Sequence, residues 1–440
     1  MDESRNTPLR VGLIGLGTVG QAVINVLRKN AVEIARRAGR SIVVTHVATR
    51  DLKKKRDCKL DGITVSSDPM SIAREADVDV VVEVIGGMSP ARELILAAIA
   101  RGKPVVTANK ALLAEDGNVL FAAAREKGVM LAFEAAVAGG IPIIKAIREG
   151  LAGNQIESLA GIINGTCNYI LTQMTEREVD FVKALAEAQK LGYAEADPRF
   201  DVEGIDAAHK LTILAAIAFG MPLSFKQVST EGISAVRGKD VMLARELGYR
   251  IKHLGIAKRT EAGVELRTQP TLIPEDRLLA KADGVLNSIL IRGNALGQVG
   301  FYGRGAGGEP TASAVIADLV DVARLQGAEG QHQVPTLGFQ PDRMQELKIT
   351  PLADIVSAYY LRLRVADTPG VLKGITSILA ECDISIEAIL QKEPREDDAT
   401  IAIITSAVSE RRFNAALDKL RALPFVRDGL SRFRVEHFDE

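Results

Sequence analysis

Gly15-Leu16-Gly17-Thr18-Val19-Gly20 follows an apolar run, residues 9–14, and opens a stretch of helical spacing, residues 18–38. Between a strand and a helix, a GxGxxG pattern reads as a phosphate-binding turn. Gly15 allows the tight bend, Gly17 lets a pyrophosphate approach the backbone, and Gly20 lets helix pack closely on strand. The helix N-terminus at Thr18 and Val19 then offers free N–H groups and partial positive charge to phosphate. Further β-branched runs at 42–49, 78–84, 103–106 and 129–133 alternate with helical patterns at 90–101 and 117–127. Nearly continuous apolar strands separated by helices predict a parallel sheet buried on both faces, a Rossmann-type α/β domain over residues 1–139. Such a domain implies a nicotinamide dinucleotide and an oxidoreductase.

The second strand ends in Thr49-Arg50, where an NAD-preferring site would carry Asp or Glu. A guanidinium there can pair with a 2′-phosphate, so Arg50 points to NADP(H), with NAD(H) use as the competing reading. Lys53, Lys54, Lys55 and Arg56 follow in the same loop and read equally as a solvated basic run.

Outside this region the totals exclude more than they assign. At 440 residues the chain predicts two or three domains. Its 47% hydrophobic and 25% charged content is that of a globular protein, and a net charge of −1 offers no field for nucleic acid or an anionic membrane. Cys58, Cys167 and Cys382 are too scattered for a disulfide framework or a zinc cluster. The polar N-terminus and the absence of a long apolar run predict a cytoplasmic protein with no bilayer span. The chain is expected to begin directly at the dinucleotide domain.

From about Gly140 the texture becomes α+β. Helices are expected at 180–191 and 204–219, with strands at 264–272 and 288–291. A second glycine-rich loop, Gly303-Arg304-Gly305-Ala306-Gly307-Gly308, feeds a helix at 311–325. Residues 140–326 are read as a substrate and dimerisation domain, with 303–326 packing back on the cofactor domain. Residues 327–352 are read as a linker. Residues 353–440 then give strands and helices in βαββαβ order, the ferredoxin-like pattern.

The polar segment Asp201-Val202-Glu203-Gly204-Ile205-Asp206-Ala207-Ala208-His209-Lys210 carries the chemistry. Asp206 and Lys210 are four residues apart and share one face of a helix whose following turns are strongly apolar, which places the pair beside a cleft. A simple exposed ion pair is the blander alternative. Asn164-Gly165-Thr166-Cys167-Asn168-Tyr169 and Gly192-Tyr193-Ala194-Glu195-Ala196-Asp197-Pro198 lie upstream.

Residues 164–169 and 192–214, the glycine turn, Thr107-Ala108-Asn109-Lys110 and residues 134–142 together resemble the homoserine dehydrogenase family over nearly the whole chain. The resemblance implies interconversion of L-aspartate 4-semialdehyde and L-homoserine with NAD(P)H, on the way to threonine, methionine and isoleucine. It implies Lys210 as the acid/base, Asp206 and Glu195 as ligands of the homoserine α-ammonium, and Lys110 near both nicotinamide and substrate. Gly192 and Gly307 match backbone positions near the cofactor. A structural monovalent cation, often sodium, is implied at Glu134 and the carbonyls of Val137, Gly139 and Ile141. Read without the family, the same Glu134-Ala135-Ala136-Val137-Ala138-Gly139-Gly140 stretch serves equally as a domain hinge.

Cys167 raises the competing chemistry of a thioester-forming aldehyde dehydrogenase, which needs an activated thiolate. The stretch gives no histidine partner at catalytic spacing, so Cys167 and His209 are expected to be packed structural residues. A nucleotide-sensing regulator without catalysis is disfavoured by the Glu195, Asp206 and Lys210 segment. In the last domain Asp367-Thr368-Pro369-Gly370-Val371 resembles the ACT signature, implying threonine as effector at Asp367, Gly370 and Val371; a ligand-free dimerisation module is the alternative. A homodimer or homotetramer is expected.

Overall fold

The computed structural model describes residues 7–325, 334–395 and 398–438. Six parallel strands lie in the order Thr64–Ser66, Ile42–Ala48, Leu9–Ile14, Val80–Glu83, Val105–Thr107 and Leu131–Ala132. Strand order therefore reverses between Leu9–Ile14 and Val80–Glu83, the place where open parallel sheets bind ligands beyond their C-terminal ends. Leu13 and Val82 face a cluster with Val23, Ile24 and Leu27 of helix Thr18–Lys29. Ile14 and Val81 face the opposite layer with Leu94 and Ile95 of helix Ala91–Ala100. Both parities are buried, which is why the strand runs show no alternation.

Helix Gly308–Leu325 completes this layer. Its Ala312, Val315, Leu319 and Val322 join the same cluster as Leu13 and Val23, so a segment far along the chain belongs to the cofactor domain's core.

The second sheet is mixed. Gly297–Arg304, Leu286–Gly293, Ile156–Ile162, Tyr249–Thr260 and Gly263–Pro274 are successive neighbours. The sheet does not stop at the domain boundary. Ser431–Val435 pairs in parallel with Gly263–Pro274 through Thr271↔Arg434 and Leu272↔Val435, and antiparallel with Val356–Ala366 on its other side. Asp398–Thr405 and Ile386–Arg395 follow, and helices Val371–Glu381 and Glu410–Arg421 complete the ferredoxin-like module. The module is thus annealed to the preceding domain, edge to edge.

Buried ion pairs reinforce the seam. Arg434 donates to both oxygens of Glu410 at 2.8 Å and to Glu231 and Gln269 at 2.8 Å. Arg362 pairs with Asp240 at 2.5 Å, and Arg267 with Glu436 at 2.6 Å. Among these, Arg434, Arg267, Asp240 and Glu410 are buried.

Several expectations need correction. The single helix expected at 18–38 breaks at Asn30 (φ −111°), giving Thr18–Lys29 and Ala31–Ala38. The helix expected from residue 117 begins at Lys110. Gly117 lies inside it rather than at its start because a side chain there would collide with Leu223, 2.5 Å from the Cβ position. The described part of the expected linker is ordered along the substrate domain: Ile349 bridges Val264, and Val264 N–H donates to Lys348 at 2.9 Å. Residues 326–333 of that stretch lie outside the described residues. Strand Tyr249–Thr260 went unpredicted because Lys252 and His253 break its apolar pattern, although both are buried.

Ending the chain near Ile349 would strip strand Ser431–Val435 from Gly263–Pro274, leave Glu231 and Asp240 without their ion-pair partners, and reduce Arg267 to Glu265 alone. Each broken buried pair costs about 3–5 kcal/mol and each kcal/mol about 2–4 °C, so the thermal midpoint of the truncated chain should fall by on the order of 10 °C or more. A midpoint equal to that of the full chain would show the module to be a separable appendage.

Candidate active site

The cleft at the strand reversal is a cavity of about 600 Å³ lined by Gly15, Gly17, Arg50, Lys54, Arg56 and Ile85, among others. Each glycine of the turn has its own steric reason. Gly15 sits at φ 110°, and a Cβ there would lie 2.9 Å from the Val84 carbonyl. A Cβ on Gly20 would lie 2.1 Å from the Gly15 carbonyl, so strand and helix can close only over glycine. Nothing lies within 4 Å of the Cβ position of Gly17, which opens the turn to a ligand. Thr18, Val19 and Gly20 form the first turn of helix Thr18–Lys29, where backbone N–H groups have no intrahelical acceptor. Gly307 (φ 125°) precedes helix Gly308–Leu325, and a Cβ on Gly308 would stand 3.3 Å from Thr18. Two helix N-termini therefore meet at the glycine turn, a favourable site for phosphate.

Arg50 and Lys54 are exposed on the cavity wall. Arg56 has a different part. It donates to the Leu16 carbonyl at 2.7 Å and to Thr49 Oγ1 at 2.8 Å, bracing the glycine turn against the end of the second strand.

On the substrate side, Asp206 is the hub. Gly204 (φ 81°) turns the chain into helix Ile205–Phe219, which carries Asp206 in its first turn and Lys210 one turn on. Asp206 is 4% exposed, too little for solvent to carry its charge. Lys210 Nζ donates to Asp206 Oδ2 at 2.7 Å and to the Ile163 carbonyl at 2.8 Å. Asn164 Nδ2 donates to the same Oδ2 at 2.8 Å and to Asp201 Oδ1 at 2.7 Å. Lys110 Nζ reaches Oδ1 at 3.3 Å. Burial alone would push this carboxyl up, but the two lysine charges and the hydrogen bonds from Lys210 and Asn164 outweigh it and hold Asp206 at about 2.

Lys110 comes from the cofactor domain. Asn109 caps its helix by accepting from Leu112 N–H at 3.2 Å, which fixes Lys110 in the first turn. Asp201 behaves differently from Asp206. Burial pushes its carboxyl up, the Asn164 bond offsets part of the rise, and the neighbouring Asp206 adds to it. The site thus holds one carboxylate saturated by lysines and a second short of positive charge.

Glu195 is exposed on the loop after helix Phe181–Lys190, its carbonyl bound by Gln189 at 3.0 Å. Among the described residues its carboxylate makes no ion pair with the Asp206 cluster. Gly192 (φ 74°) is exposed in the same loop. Cys167 is fully buried at the start of helix Gly165–Glu176, its thiol donating to the Asp201 carbonyl at 3.2 Å. Burial, with Asp201 and Asp206 nearby, pushes the thiol well above its ordinary range, the reverse of what a nucleophile needs. Burial brings His209 down to about 4, so it is neutral at pH 7, packed against Phe225 (4.3 Å) and Phe200 (5.5 Å).

At the expected cation loop, Glu134 places one oxygen on Ile144 N–H and the other on Lys145 N–H, both at 2.9 Å. Its carboxylate is therefore committed to a helix start. Ala138 (φ 54°) and Gly139 (φ 36°) turn the loop back, with Gly139 against the Gly305 backbone. In the last module Asp367 and Gly370 (φ 93°) lie exposed in the turn before helix Val371–Glu381, and Val371 is buried.

A family model described as homoserine dehydrogenase matches residues 142–320, one described as its NAD-binding domain matches 15–134, and an ACT domain model matches 359–425. A homoserine dehydrogenase from Pseudomonas aeruginosa is 56% identical over 98% of this chain and 100% of its own length. The chain belongs to the homoserine dehydrogenase family. The crystal structure of a homoserine dehydrogenase from Thiobacillus denitrificans superposes with a TM-score of 0.94 at 55% identity, covering 98% of this chain and 99% of that one. A hyperthermophilic archaeal homoserine dehydrogenase in complex with NADPH covers 72% of this chain and 98% of its own, with a TM-score of 0.62 and 27% identity. This family member is an oxidoreductase with a nicotinamide-binding domain and a C-terminal ACT domain. Among the described residues no helix is long and apolar enough to cross a membrane.

Sequence reasoning noted the segments that hold Asn164 and Asp201 but gave neither residue a role. Asn164 carried a legible signal, an Asn before Gly165-Thr166 at a helix start, where it accepts from Cys167 N–H at 2.8 Å. The geometry separates the two candidate chemistries. Lys210→Ala should lower kcat by about 10²–10⁴-fold while leaving NADPH binding intact, and Cys167→Ala should leave kcat within about threefold. Loss of turnover on the cysteine change alone, measured by steady-state kinetics, would reverse the assignment.

Proposed function

We propose that this chain catalyses the reversible reduction of L-aspartate 4-semialdehyde to L-homoserine, the step leading to threonine, methionine and isoleucine. The observation that carries the reading is the Asp206 hub, which brings Lys210 and Lys110 from two domains to one carboxylate beside the dinucleotide cleft.

Gly15, Gly17, Thr18, Val19 and Gly20 would hold the pyrophosphate, with Gly307 closing over it from the second helix. When bound, the nicotinamide supplies or accepts the hydride. Lys210 uses two N–H bonds on Ile163 and Asp206, and the third is left to meet the substrate oxygen. As an ammonium it protonates the oxygen of the reduced aldehyde; in the oxidative direction the amine takes the hydroxyl proton. Asp206 keeps Lys210 oriented. Asp201, short of positive charge, suits the α-ammonium of homoserine, and Asp206 can share that contact where Lys110 now reaches it. Glu195 joins them if the 192–198 loop moves inward over bound substrate.

NADP(H) is the preferred cofactor in this reading. Arg50 and Lys54 place two cations on the cavity wall where a 2′-phosphate would sit, and the archaeal relative binds NADPH. A monovalent cation, sodium, fits the 134–141 loop through the carbonyls of Val137, Gly139 and Ile141, with Glu134 contributing charge and main chain in place of its committed side chain. Two buried acidic residues adjoin this loop, Glu134 and Asp318, the Glu134 N–H donating to Asp318 Oδ2 at 2.8 Å. The cation's role there is structural. Threonine is the effector proposed at Asp367, Gly370 and Val371, and the assembly is a homodimer or homotetramer in the cytoplasm.

Arg50→Asp should shift the ratio of kcat/KM for NADP over NAD by about 10-fold or more towards NAD, the worth of one charge-assisted contact. An unchanged ratio in homoserine oxidation assays would remove Arg50 as the 2′-phosphate anchor. Because truncation damages the sheet, threonine control is better read on a point change. L-Threonine should inhibit the full chain and fail to inhibit Asp367→Ala; equal inhibition of both would place the effector elsewhere.

A further inference from the structure

Glu83 ends strand Val80–Glu83 at the point where strand order reverses, and it is completely buried. Its Oε1 accepts from Ile85 N–H at 2.8 Å and from Gly86 N–H at 3.1 Å. Its Oε2 accepts from the Thr107 hydroxyl at 2.6 Å. Thr107 Oγ1 in turn accepts from Asn109 N–H at 3.0 Å, and Asn109 Nδ2 donates to the Gly87 carbonyl at 2.7 Å. These bonds close a ring around two loops.

The two loops have separate duties. Residues 84–86 line the dinucleotide cavity and lie directly under Gly15. Residues 107–109 deliver Lys110 to the first turn of its helix and so to Asp206. The three residues before Glu83 are valines, and a fourth would serve the strand without the cost of burying a charge. An acceptor-only carboxylate makes sense here because three donors converge on it from two loops.

We propose that Glu83 is a positioning residue for the dehydrogenase reaction: it holds the cofactor-lining loop and the Lys110 turn in one register. Bound cofactor and the Lys110 ammonium then keep a fixed relative placement. The inference rests on the assignment of Lys110 to the active site made above.

Glu83→Gln keeps the volume but brings an NH₂ group against the donors, Thr107→Val removes the same bond from its other end, and Thr107→Ser retains the hydroxyl. Misplacement of reacting groups by about 1 Å costs up to about 100-fold, so Glu83→Gln and Thr107→Val should each lower kcat by about 10- to 100-fold. In homoserine oxidation the KM for NADP should rise several-fold and that for homoserine stay within about twofold; Thr107→Ser should recover to within about threefold of the parent, and the double variant should be no slower than the slower single one. A purely structural role would lower the thermal midpoint and leave kcat per folded enzyme unchanged, and that result, or multiplying losses in the double variant, overturns the inference. If Glu83→Gln does not fold, the contrast between Thr107→Val and Thr107→Ser decides on the same terms. Lys110→Ala is measured alongside. Parental turnover in that variant overturns the Lys110 assignment and the inference with it, whereas a slow Lys110→Ala beside a fully active Glu83→Gln overturns the positioning role alone.

Discussion

A carboxylate removed from water must be met by positive charge and hydrogen-bond donors, and Asp206 has recruited them from three parts of the chain. Lys210 comes from its own helix, Lys110 from the first turn of a cofactor-domain helix, and Asn164 from the end of strand Ile156–Ile162. The dinucleotide cleft and the substrate helix are consequently not two sites that happen to adjoin. They are joined at one anion, and shifting either domain would take Lys110 from Asp206 and leave that carboxylate to Lys210 and Asn164 alone. The geometry of the candidate site and the placement of the domains are therefore under one constraint.

The same economy explains why Asp201 and Asp206, five residues apart, differ so much. Asp206 is paired with both lysines and is held low; Asp201 is pushed up by burial, with the Asn164 bond and the lysine charges offsetting only part of the rise. Asn164 cannot serve both in any other orientation, because its carbonyl oxygen already accepts from Cys167 N–H. An amide fixed by a helix cap thus keeps two carboxylates apart in character, one suited to hold a lysine and the other to receive a cationic substrate.

What the sequence disclosed follows the range of the interactions. The glycine turn, the parallel strands and the Asp206/Lys210 spacing are local, and local periodicity exposes them. The approach of Lys110 to Asp206 is set by the packing of two domains, and the resemblance, not spacing, flagged Lys110. Asn164 acts through a tertiary contact, and its helix-cap signal gave no hint of it. Arg56 sat in a basic run that reads as solvated surface, yet its guanidinium braces the Leu16 carbonyl. At the 134–141 loop the hydrogen bonds from Ile144 and Lys145 N–H to the Glu134 carboxylate are likewise tertiary detail that the sequence did not show. Strand Tyr249–Thr260 was illegible for an electrostatic reason: a buried Lys252, bound to Ala282 O and Asp283, looks in sequence like exposure.

Under the proposed feedback, the annealed ACT module changes how an effector signal would travel. Had a loose linker joined the domains, only a large rigid-body motion could reach the active site. Instead Arg434 of the module holds Glu231, whose carbonyl meets His253 Nε2 at 3.0 Å. The next residue, Gly232, lies so close to the catalytic segment that a Cβ would stand 2.4 Å from the Val202 carbonyl. Ile233 N–H then bonds that carbonyl at 2.8 Å, two residues before the Gly204 turn into the Asp206 helix. Contiguity alone does not prove coupling. It does bound the motion required: displacing the Arg434 side chain disturbs the backbone against which the catalytic helix starts. The buried charges at the seam favour a few discrete arrangements over gradual deformation, which is the property a regulatory contact needs.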